Sequence, residues 1–158
     1  MENGPYHRAG EFPASLVIEQ VGKVLSTNSG AKVLCGGWRL EVYASKGTKC
    51  VNCGLVGNVF AAECFRHLHQ EKPVEQRKYH LNLYHVDSSG RETMMTVDHI
   101  IPKSKGGGNG IENLQPMCFP CNIRKGNQTS TVGGSLYLNG LASIPDSVKK
   151  ECQISSLS

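Results

Sequence analysis

Two Cys-x-x-Cys pairs, Cys50 with Cys53 and Cys118 with Cys121, constrain this chain more than any other feature of its sequence. Thiolates at this spacing are typical ligands of tetrahedral zinc, and two pairs supply the four sulfur atoms of a closed site. A single pair could also be a redox motif, but two pairs separated by a folded insert favour one shared structural ion. The sequence therefore predicts a metal cross-link between two distant segments.

The chain has seven cysteines, an odd number, so they cannot all pair as disulfides. Paired spacing in a reducing compartment favours zinc instead. Cys35, Cys64 and Cys152 remain outside the predicted site, and each is interpreted as a small, partly buried thiol without a role. Because four-thiolate zinc has no open coordination position, the predicted site is structural and does not perform hydrolysis.

A second group of polar residues lies between the two cysteine pairs and directly after the second pair. Asp98 and His99 are adjacent, Asn113 follows a glycine-rich loop, and Asn122 comes directly after the last cysteine of the motif. Carboxylate and amide oxygens suit a hard divalent ion, and an imidazole can accept a proton from water at neutral pH. These residues indicate a catalytic metal site that is separate from the zinc site.

This region resembles the HNH endonuclease family, in the zinc-stapled form that is common in phage and bacterial genomes. The resemblance covers roughly residues 38–128, and its core is the segment MTVDHIIPKSKGGGNGIENLQPMCFPCNIRKGN. Residue type, order and spacing all match the family signature. Many members carry histidine directly after the final zinc cysteine, where this chain has Asn122, so the chain resembles an HNN variant.

The resemblance implies cleavage of phosphodiester bonds in DNA and a role for each polar residue. Asp98 and Asn122 would hold Mg²⁺ or Mn²⁺ against the scissile phosphate, and His99 would act as the general base. Asn113 would pin the loop through backbone hydrogen bonds and orient that base. In these roles Asp98 and His99 must both reach one phosphate, but neighbouring residues on a regular strand face opposite ways. The strand is therefore expected to bend or end at this point. Pro102 favours such an end.

Four basic residues near the predicted site are candidate DNA contacts. Lys103 and Lys105 lie in the loop after the Asp-His pair, and Arg124 and Lys125 follow Asn122 on the predicted helix. Such residues neutralise phosphates and position DNA without reading its sequence. The formal net charge of +4 is compatible with a nucleic-acid partner but is too small to establish one.

The chain is predicted to be an α+β protein with a small ββα-metal core, which is also the architecture that the resemblance implies. Apolar periodicity and capping residues predict helices over 13–26 and 38–45 and a third helix that opens at Pro120. Alternating side chains predict strands, with a hairpin loop over 87–90. The predicted strands cover 58–65, 79–86, 92–100 and 114–117.

Three segments are expected along the chain. Residues 1–34 form an N-terminal accessory segment whose helix docks on the core, residues 35–128 form the zinc-stapled nuclease domain, and residues 129–158 form a C-terminal tail. The tail resembles one unit of a short leucine-rich repeat, which cannot bury its own apolar face. At 158 residues and 39% hydrophobic content the core is small, and a zinc site would compensate for that.

No stretch is long and apolar enough to span a bilayer, and the polar N-terminus, Met-Glu-Asn-Gly-Pro, does not resemble a signal peptide. The protein is therefore expected in the cytoplasm of a bacterial or phage-infected cell, as a monomer or a homodimer.

Three classes of function remain open. The first is a metal-dependent DNA endonuclease, phage-encoded and of homing or nicking type. The second is a non-catalytic zinc module that binds nucleic acid, and the third is an HNH restriction-type or RNA-directed nuclease. The sequence leaves open the target, the methylation preference and the choice between a nick and a double-strand break.

Overall fold

Seven strands and four α-helices lie within residues 4–69 and 71–130, which are the residues that the computed structural model describes. In chain order the elements are β1 (Tyr6–Pro13), α1 (Ala14–Glu19), β2 (Val24–Ser26), β3 (Lys32–Leu34), α2 (Trp38–Lys46), β4 (Val59–Phe65), α3 (Arg66–His69), β5 (His80–Val86), β6 (Glu92–His99), β7 (Leu114–Cys118) and α4 (Phe119–Lys125). Five strands form one sheet in the order β1-β4-β5-β6-β7, and β2 pairs with β3 separately. The predicted α+β class is confirmed.

The N-terminal segment contributes an edge strand to the main sheet. β1 pairs antiparallel with β4, from Tyr6 opposite Phe65 to Pro13 opposite Val59. This strand is not predicted from the sequence, because Gly10 and Pro13 disfavour strands and its side chains do not alternate clearly. The register shifts between Arg8 and Gly10, which accommodates the irregularity.

The prediction of a helix over residues 13–26 is wrong for the second half of that range. α1 has only six residues, and Gly22 then adopts a positive φ of 86°. The Gly22 N–H donates to the Cys35 carbonyl at 2.7 Å, and β2 pairs with β3. The backbone groups of this segment therefore bond to a distant strand instead of to the preceding helical turn. The short helix that remains buries Val17 completely in the core.

The other predicted elements differ from the structure by a residue at one end. β5 and β6 form the expected hairpin, and Asp87 organises its turn by accepting hydrogen bonds from the backbone N–H groups of Ser89 and Arg91. The hydroxyl of Ser89 and the backbone of Arg91 lower the pKa of Asp87 to about 2. The predicted tail lies almost entirely in residues 131–158, outside the described residues, as does Cys152.

β6 changes its pairing partner along its length. Its first residues pair with β5, and Met95 to His99 pair with β7. β7 is an edge strand of the sheet, which is where a residue such as Pro116 is tolerated. α4 follows β7 directly and packs on β6. These three elements form the ββα unit, and β6 carries Asp98 and His99 as its last two residues.

The main hydrophobic core collects side chains from α1, α2 and four strands of the sheet. Phe60, Leu83 and Met117 are almost fully buried in it. Cys50 and Cys118 belong to the same cluster, so the cysteine motif is continuous with the core. No helix in the described ranges is both long and apolar enough to cross a bilayer.

A buried carboxylate joins the N-terminal strand to the sheet. Glu63 on β4 is 3% exposed, and its Oε2 accepts hydrogen bonds from the Asn82 amide and the Tyr84 hydroxyl, both at 2.8 Å. Arg8 Nη2 lies 2.8 Å from Glu63 Oε1, and its guanidinium lies 4.9 Å from the centre of the Tyr84 ring. Burial, followed by the hydrogen bond to Glu63, raises the pKa of Tyr84. β1 is thus held to the sheet by a partly desolvated ion pair.

Arg8→Ala is expected to lower the free energy of unfolding by roughly 3 kcal/mol, because Glu63 would stay buried without its counter-charge. Urea unfolding followed by circular dichroism measures the loss. Arg91→Ala is the matched control, since it removes an exposed ion pair with Asp87 and should cost less than about 1 kcal/mol. Adding Glu63→Gln to Arg8→Ala should recover part of the loss. Equal destabilisation by the two arginine variants would contradict this account.

Candidate active site and metal centre

The sulfur atoms of Cys50, Cys53, Cys118 and Cys121 all lie within 4.8 Å of one another. Cys53 Sγ and Cys118 Sγ are 3.7 Å apart, much farther than the roughly 2.05 Å of a disulfide bond. Thiolates at about 2.3 Å from a tetrahedral zinc ion would themselves be about 3.8 Å apart. The donor set, its spacing and its burial therefore fit a closed four-thiolate metal site, as the sequence predicts.

Two local structures bring these sulfur atoms together. The first pair lies in a tight turn, where the Gly54 N–H donates to the Cys50 carbonyl at 3.0 Å and Gly54 adopts a φ of 81° that favours glycine. In the second pair, Cys118 ends β7 and Cys121 lies in the first turn of α4. Hydrogen bonds with Cys118 and Cys121 lower the pKa of Cys50 to about 6. A thiolate therefore forms readily in the cluster, as metal binding requires.

Protein purified without added metal is expected to contain about one zinc per chain. Cys118→Ser should lose this zinc and its cooperative unfolding transition, because structural zinc contributes on the order of 10 kcal/mol to the folding of small domains. Elemental analysis and thermal unfolding measure the two effects. Cys35→Ala should keep the zinc, because Cys35 is buried but lies outside the cluster. Folded protein that contains no zinc would contradict the assignment of the cysteine cluster as a zinc site.

Asp98 lies near the end of β6 and is buried together with Lys125 of α4. The side chains of Asp98 and Lys125 are 8% and 1% exposed. The Lys125 ammonium donates to Asp98 Oδ1 at 3.1 Å, lies 3.0 Å from Oδ2, and donates to the backbone carbonyl of His99 at 2.7 Å. Gln115 Nε2 donates to Asp98 Oδ2 at 2.9 Å. A buried ammonium group is tolerated only with partners of this kind.

Asn122 is oriented by the same face of β6. Its Nδ2 donates to Thr96 Oγ1 at 3.0 Å, and Thr96 Oγ1 donates to the Met117 carbonyl at 2.8 Å. Thr96 and Asp98 share a face of the strand because they are two residues apart. Asn122 and Lys125 share a face of the helix because they are three residues apart. The Asn122 side-chain oxygen accepts no hydrogen bond from another described residue, so it is available to a ligand.

The oxygen atoms on this face suit a hard divalent cation. An ionised carboxylate offers about four lone-pair sites, and the contacts from Lys125 and Gln115 leave capacity on Asp98 Oδ1. Asp98 Oδ1 and the side-chain carbonyl of Asn122 could together supply two ligands. Mg²⁺ is often bound by so few protein ligands, because it keeps several of its waters. The residues therefore fit Mg²⁺ or Mn²⁺, although Asp98 would have to share its charge between the ion and Lys125.

His99 lies in a different environment from Asp98. Its side chain lines a cleft of about 360 Å³, and its Nε2 is 3.0 Å from Asn109 Oδ1. In a neutral imidazole, an N–H at Nε2 that donates to this oxygen leaves Nδ1 as the proton acceptor. Among the described residues no hydrogen bond joins the side chains of His99 and Asp98. The strand ends at His99, as predicted, and its last two residues face opposite ways.

Asn113 closes the loop that follows β6. Its Oδ1 accepts from the Ile101 N–H at 2.8 Å, and its Nδ2 donates to the carbonyls of Ile101 and Gly108 at 3.0 and 2.8 Å. Gly107 has no room for a side chain, because a Cβ there would lie 1.8 Å from the Ile101 oxygen. These are the backbone hydrogen bonds expected of a residue that pins the loop. An effect of Asn113 on the orientation of His99 remains a prediction.

The four basic residues predicted to contact DNA differ in their exposure. Lys103 and Lys105 are exposed on a 3₁₀ turn, and Lys103 lines the same cleft as His99. Arg124 is half-buried, with its Nη2 at 4.0 Å from a sulfur atom of the cysteine cluster. The ammonium group of Lys125, the fourth candidate, is buried in this structure and bound to protein acceptors, so it differs from the two exposed lysines. Its contact with DNA stays a prediction.

Gln115, Thr96 and Asn109 support the predicted site through side-chain hydrogen bonds, and none of them is identified from the sequence. Strand alternation places Thr96 on the face that carries Asp98, so periodicity could have indicated its position. Gln115 lies opposite Asp98 in the pairing of β6 with β7, which only the register reveals. Asn109 lies in an irregular loop where no periodic signal exists.

Residues 82–128 match the family model described as HNH endonuclease. The matched range contains β6, β7 and α4, and with them all four predicted catalytic residues and the second cysteine pair. This part of the chain is an HNH endonuclease domain, and the resemblance to that family is confirmed there. No curated protein and no solved structure gives a match to the chain. The zinc-stapled phage subtype remains a prediction.

Lys125→Met is expected to lower the free energy of unfolding by roughly 3 to 5 kcal/mol, because it leaves Asp98 buried without its partner. Lys105→Met is the matched control, since Lys105 is exposed and its loss should cost less than about 0.5 kcal/mol. Urea unfolding measures both variants. Combining Lys125→Met with Asp98→Asn should recover part of the loss, whereas strictly additive effects would show that the two residues are not coupled.

Proposed function

We propose that this chain is a metal-dependent endonuclease that hydrolyses phosphodiester bonds in DNA. The proposal is carried by the match of residues 82–128 to the HNH endonuclease family, in a unit where β6 supplies Asp98 and His99 and α4 supplies Asn122. A phosphodiester is anionic and repels hydroxide. The reaction therefore needs one group that activates water and other groups that neutralise charge.

His99 is the proposed general base. In the tautomer that carries its proton at Nε2, this N–H donates to Asn109 Oδ1, and Nδ1 can accept the proton of an attacking water. The Lys125 contact to the backbone carbonyl of His99 fixes the residue at the end of β6. The imidazole is thus oriented from both its side chain and its backbone, which reduces the reorganisation needed for proton transfer.

Asp98 and Asn122 are the proposed ligands of the catalytic Mg²⁺ or Mn²⁺. When bound, such an ion would supply positive charge that stabilises the scissile phosphate and the departing 3′ oxygen. Asp98 is fixed by Lys125 and Gln115, and Asn122 is fixed by Thr96. Because both side chains are already held by hydrogen bonds, they need little rearrangement to present their oxygen atoms.

The cysteine cluster is proposed to bind zinc as a structural ion only, since its four thiolates would complete the coordination. Lys103 and Lys105 are proposed to position DNA through its phosphates, and Arg124 to support them from the adjoining helix. The resemblance to zinc-stapled members of the family supports a phage-encoded enzyme of homing or nicking type. It would act on DNA in the bacterial cytoplasm, as a monomer or a homodimer.

The buried Lys125 favours a second candidate, a zinc-stapled module that binds nucleic acid without cutting it. Lys125 already neutralises Asp98, and a divalent ion would bind close to its ammonium group. If this repulsion prevents metal binding, the domain would keep its DNA contacts and lose hydrolysis. Assays of binding and cleavage on one DNA substrate separate the two candidates.

With Mg²⁺ or Mn²⁺, the full chain is expected to convert supercoiled plasmid into nicked or linear DNA. His99→Ala should lose roughly 10²- to 10⁴-fold in cleavage rate and keep its affinity for DNA and metal, because only the proton acceptor is removed. Gel electrophoresis over time measures the rate. His67→Ala is the control, since His67 is an exposed histidine on another helix, and it should cut like the wild type.

The metal ligands should behave differently from the base in the same assay. Asp98→Ala and Asn122→Ala should weaken binding of the catalytic metal, so that a higher concentration of Mg²⁺ or Mn²⁺ partly restores cleavage. Asn122→His should keep activity and shift the preference toward Mn²⁺, Co²⁺ or Ni²⁺, which imidazole suits better than it suits Mg²⁺. Wild-type protein that binds the plasmid but leaves it uncut with all of these metals would establish the second candidate.

A further inference from the structure

Trp38 is the only tryptophan of the chain, and it is 54% exposed at the first residue of α2. It pairs with none of the aromatic rings in the described ranges. A single exposed apolar side chain is common in proteins, so its surroundings decide whether it has a role. Tryptophan offers a large flat surface to a ligand, and here that surface remains accessible.

Two clefts adjoin at Trp38. One is the cleft of about 360 Å³ that contains His99. The other has a volume of about 320 Å³, and Arg39, Lys78 and His80 contribute to its walls. Trp38 lines both clefts, so the indole lies between the proposed general base and a second, basic surface.

Both clefts are positively charged. Arg39, Lys78 and Lys103 are exposed, and none of them forms an ion pair with another described residue. No described Asp or Glu lines either cleft. Burial, followed by the positive charges of Arg39 and Lys78, lowers the pKa of His80. Free cations beside an exposed aromatic ring are the arrangement with which proteins bind single-stranded nucleic acid.

We propose that Trp38 stacks on a DNA base next to the scissile phosphate, while Arg39 and Lys78 bind phosphates of the same strand. The position of the cut rests on the proposed function of His99. In a continuous duplex both faces of a base are covered by its neighbours, so an indole can stack without first unstacking the duplex only on a base that is unpaired or turned out of the helix. The site therefore takes DNA that has an unpaired nucleotide beside the cut.

Intrinsic fluorescence tests this directly, because Trp38 is the only tryptophan in the full chain. The His99→Ala protein is titrated with a paired duplex, with the same duplex carrying one unpaired thymidine, and with single strands of DNA and of RNA. Strong quenching is expected with the unpaired thymidine and the single-stranded DNA, and little with the paired duplex. Equal quenching by paired and unpaired DNA, or none, overturns the proposal. Stronger quenching by RNA than by DNA also overturns it.

Side-chain variants measure the contribution of the ring. Trp38→Ala should weaken binding to the duplex with the unpaired thymidine roughly 5- to 150-fold, as expected for loss of one stacked base. It should change affinity for the paired duplex less than about twofold, because phosphate contacts supply that binding. Trp38→Phe should keep most of the affinity, because phenylalanine retains an aromatic ring. It also provides the comparison with the wild type if Trp38→Ala fails to fold. Unchanged binding of the unpaired duplex by both variants contradicts stacking.

Two controls match these variants. Leu68→Ala removes an apolar side chain of similar exposure that lines neither cleft, and it should leave both affinities unchanged. Lys78→Ala should lower the dependence of log affinity on log salt by roughly 0.7 for single-stranded DNA. Lys72→Ala should not, because Lys72 is exposed outside both clefts. Equal salt effects of the two lysine variants contradict a phosphate contact at Lys78.

The test separates this inference from the proposed function, because fluorescence and binding need no hydrolysis. Wild-type protein that cuts no DNA, in combination with selective quenching by the unpaired base, overturns the nuclease and supports the stacking site. Wild-type protein that cuts DNA, in combination with unchanged binding and cleavage of unpaired substrates by Trp38→Ala, supports the nuclease and overturns the stacking site.

Discussion

A buried ion pair between Lys125 and Asp98 fixes the helix of the ββα unit to its strand. Removal of an ammonium group from water costs several kcal/mol, and the cost is offset because Lys125 contacts both Asp98 oxygens and the backbone carbonyl of His99. One side chain thereby holds a proposed metal ligand and the backbone of the proposed base. The same contact places the Lys125 ammonium group beside the carboxylate that would bind a divalent ion. Lys125 therefore fixes the position of Asp98, but its positive charge would lower the affinity of Asp98 for the metal.

The cysteine cluster acts on the opposite end of the same helix. α4 has only seven residues, a length at which a helix depends on tertiary contacts for its stability. Cys121 joins its first turn to the distant cysteine pair, and Lys125 joins its last residue to β6. Asn122 lies between these two anchors. A structural ion in the cluster would therefore help to set the position of Asn122, a proposed metal ligand, without touching the substrate.

Local patterns predict most elements of this fold, and the errors involve contacts between residues that are distant in sequence. α2 and the hairpin of β5 and β6 follow from periodicity and turn residues. The helix expected over 13–26 ends early because β2 finds a partner in β3, which helical periodicity cannot show. Local patterns also give no sign that Lys125 is buried, because lysine is rarely buried and its partner Asp98 is 27 residues away. The sulfur cluster is predictable because each ligand pair is itself local.

Strand alternation separates the two halves of the proposed chemistry. Asp98 faces α4, whereas His99 faces the cleft that Trp38 also lines. A phosphate can meet both side chains only at the end of β6, where the backbone leaves the sheet and the two faces converge. β6 ends at His99, and Asn113 then holds the following loop through hydrogen bonds to its backbone. In the proposed mechanism the scissile phosphate would therefore bind at this strand end, and the cleft that Trp38 shares with His99 would take the adjoining nucleotide.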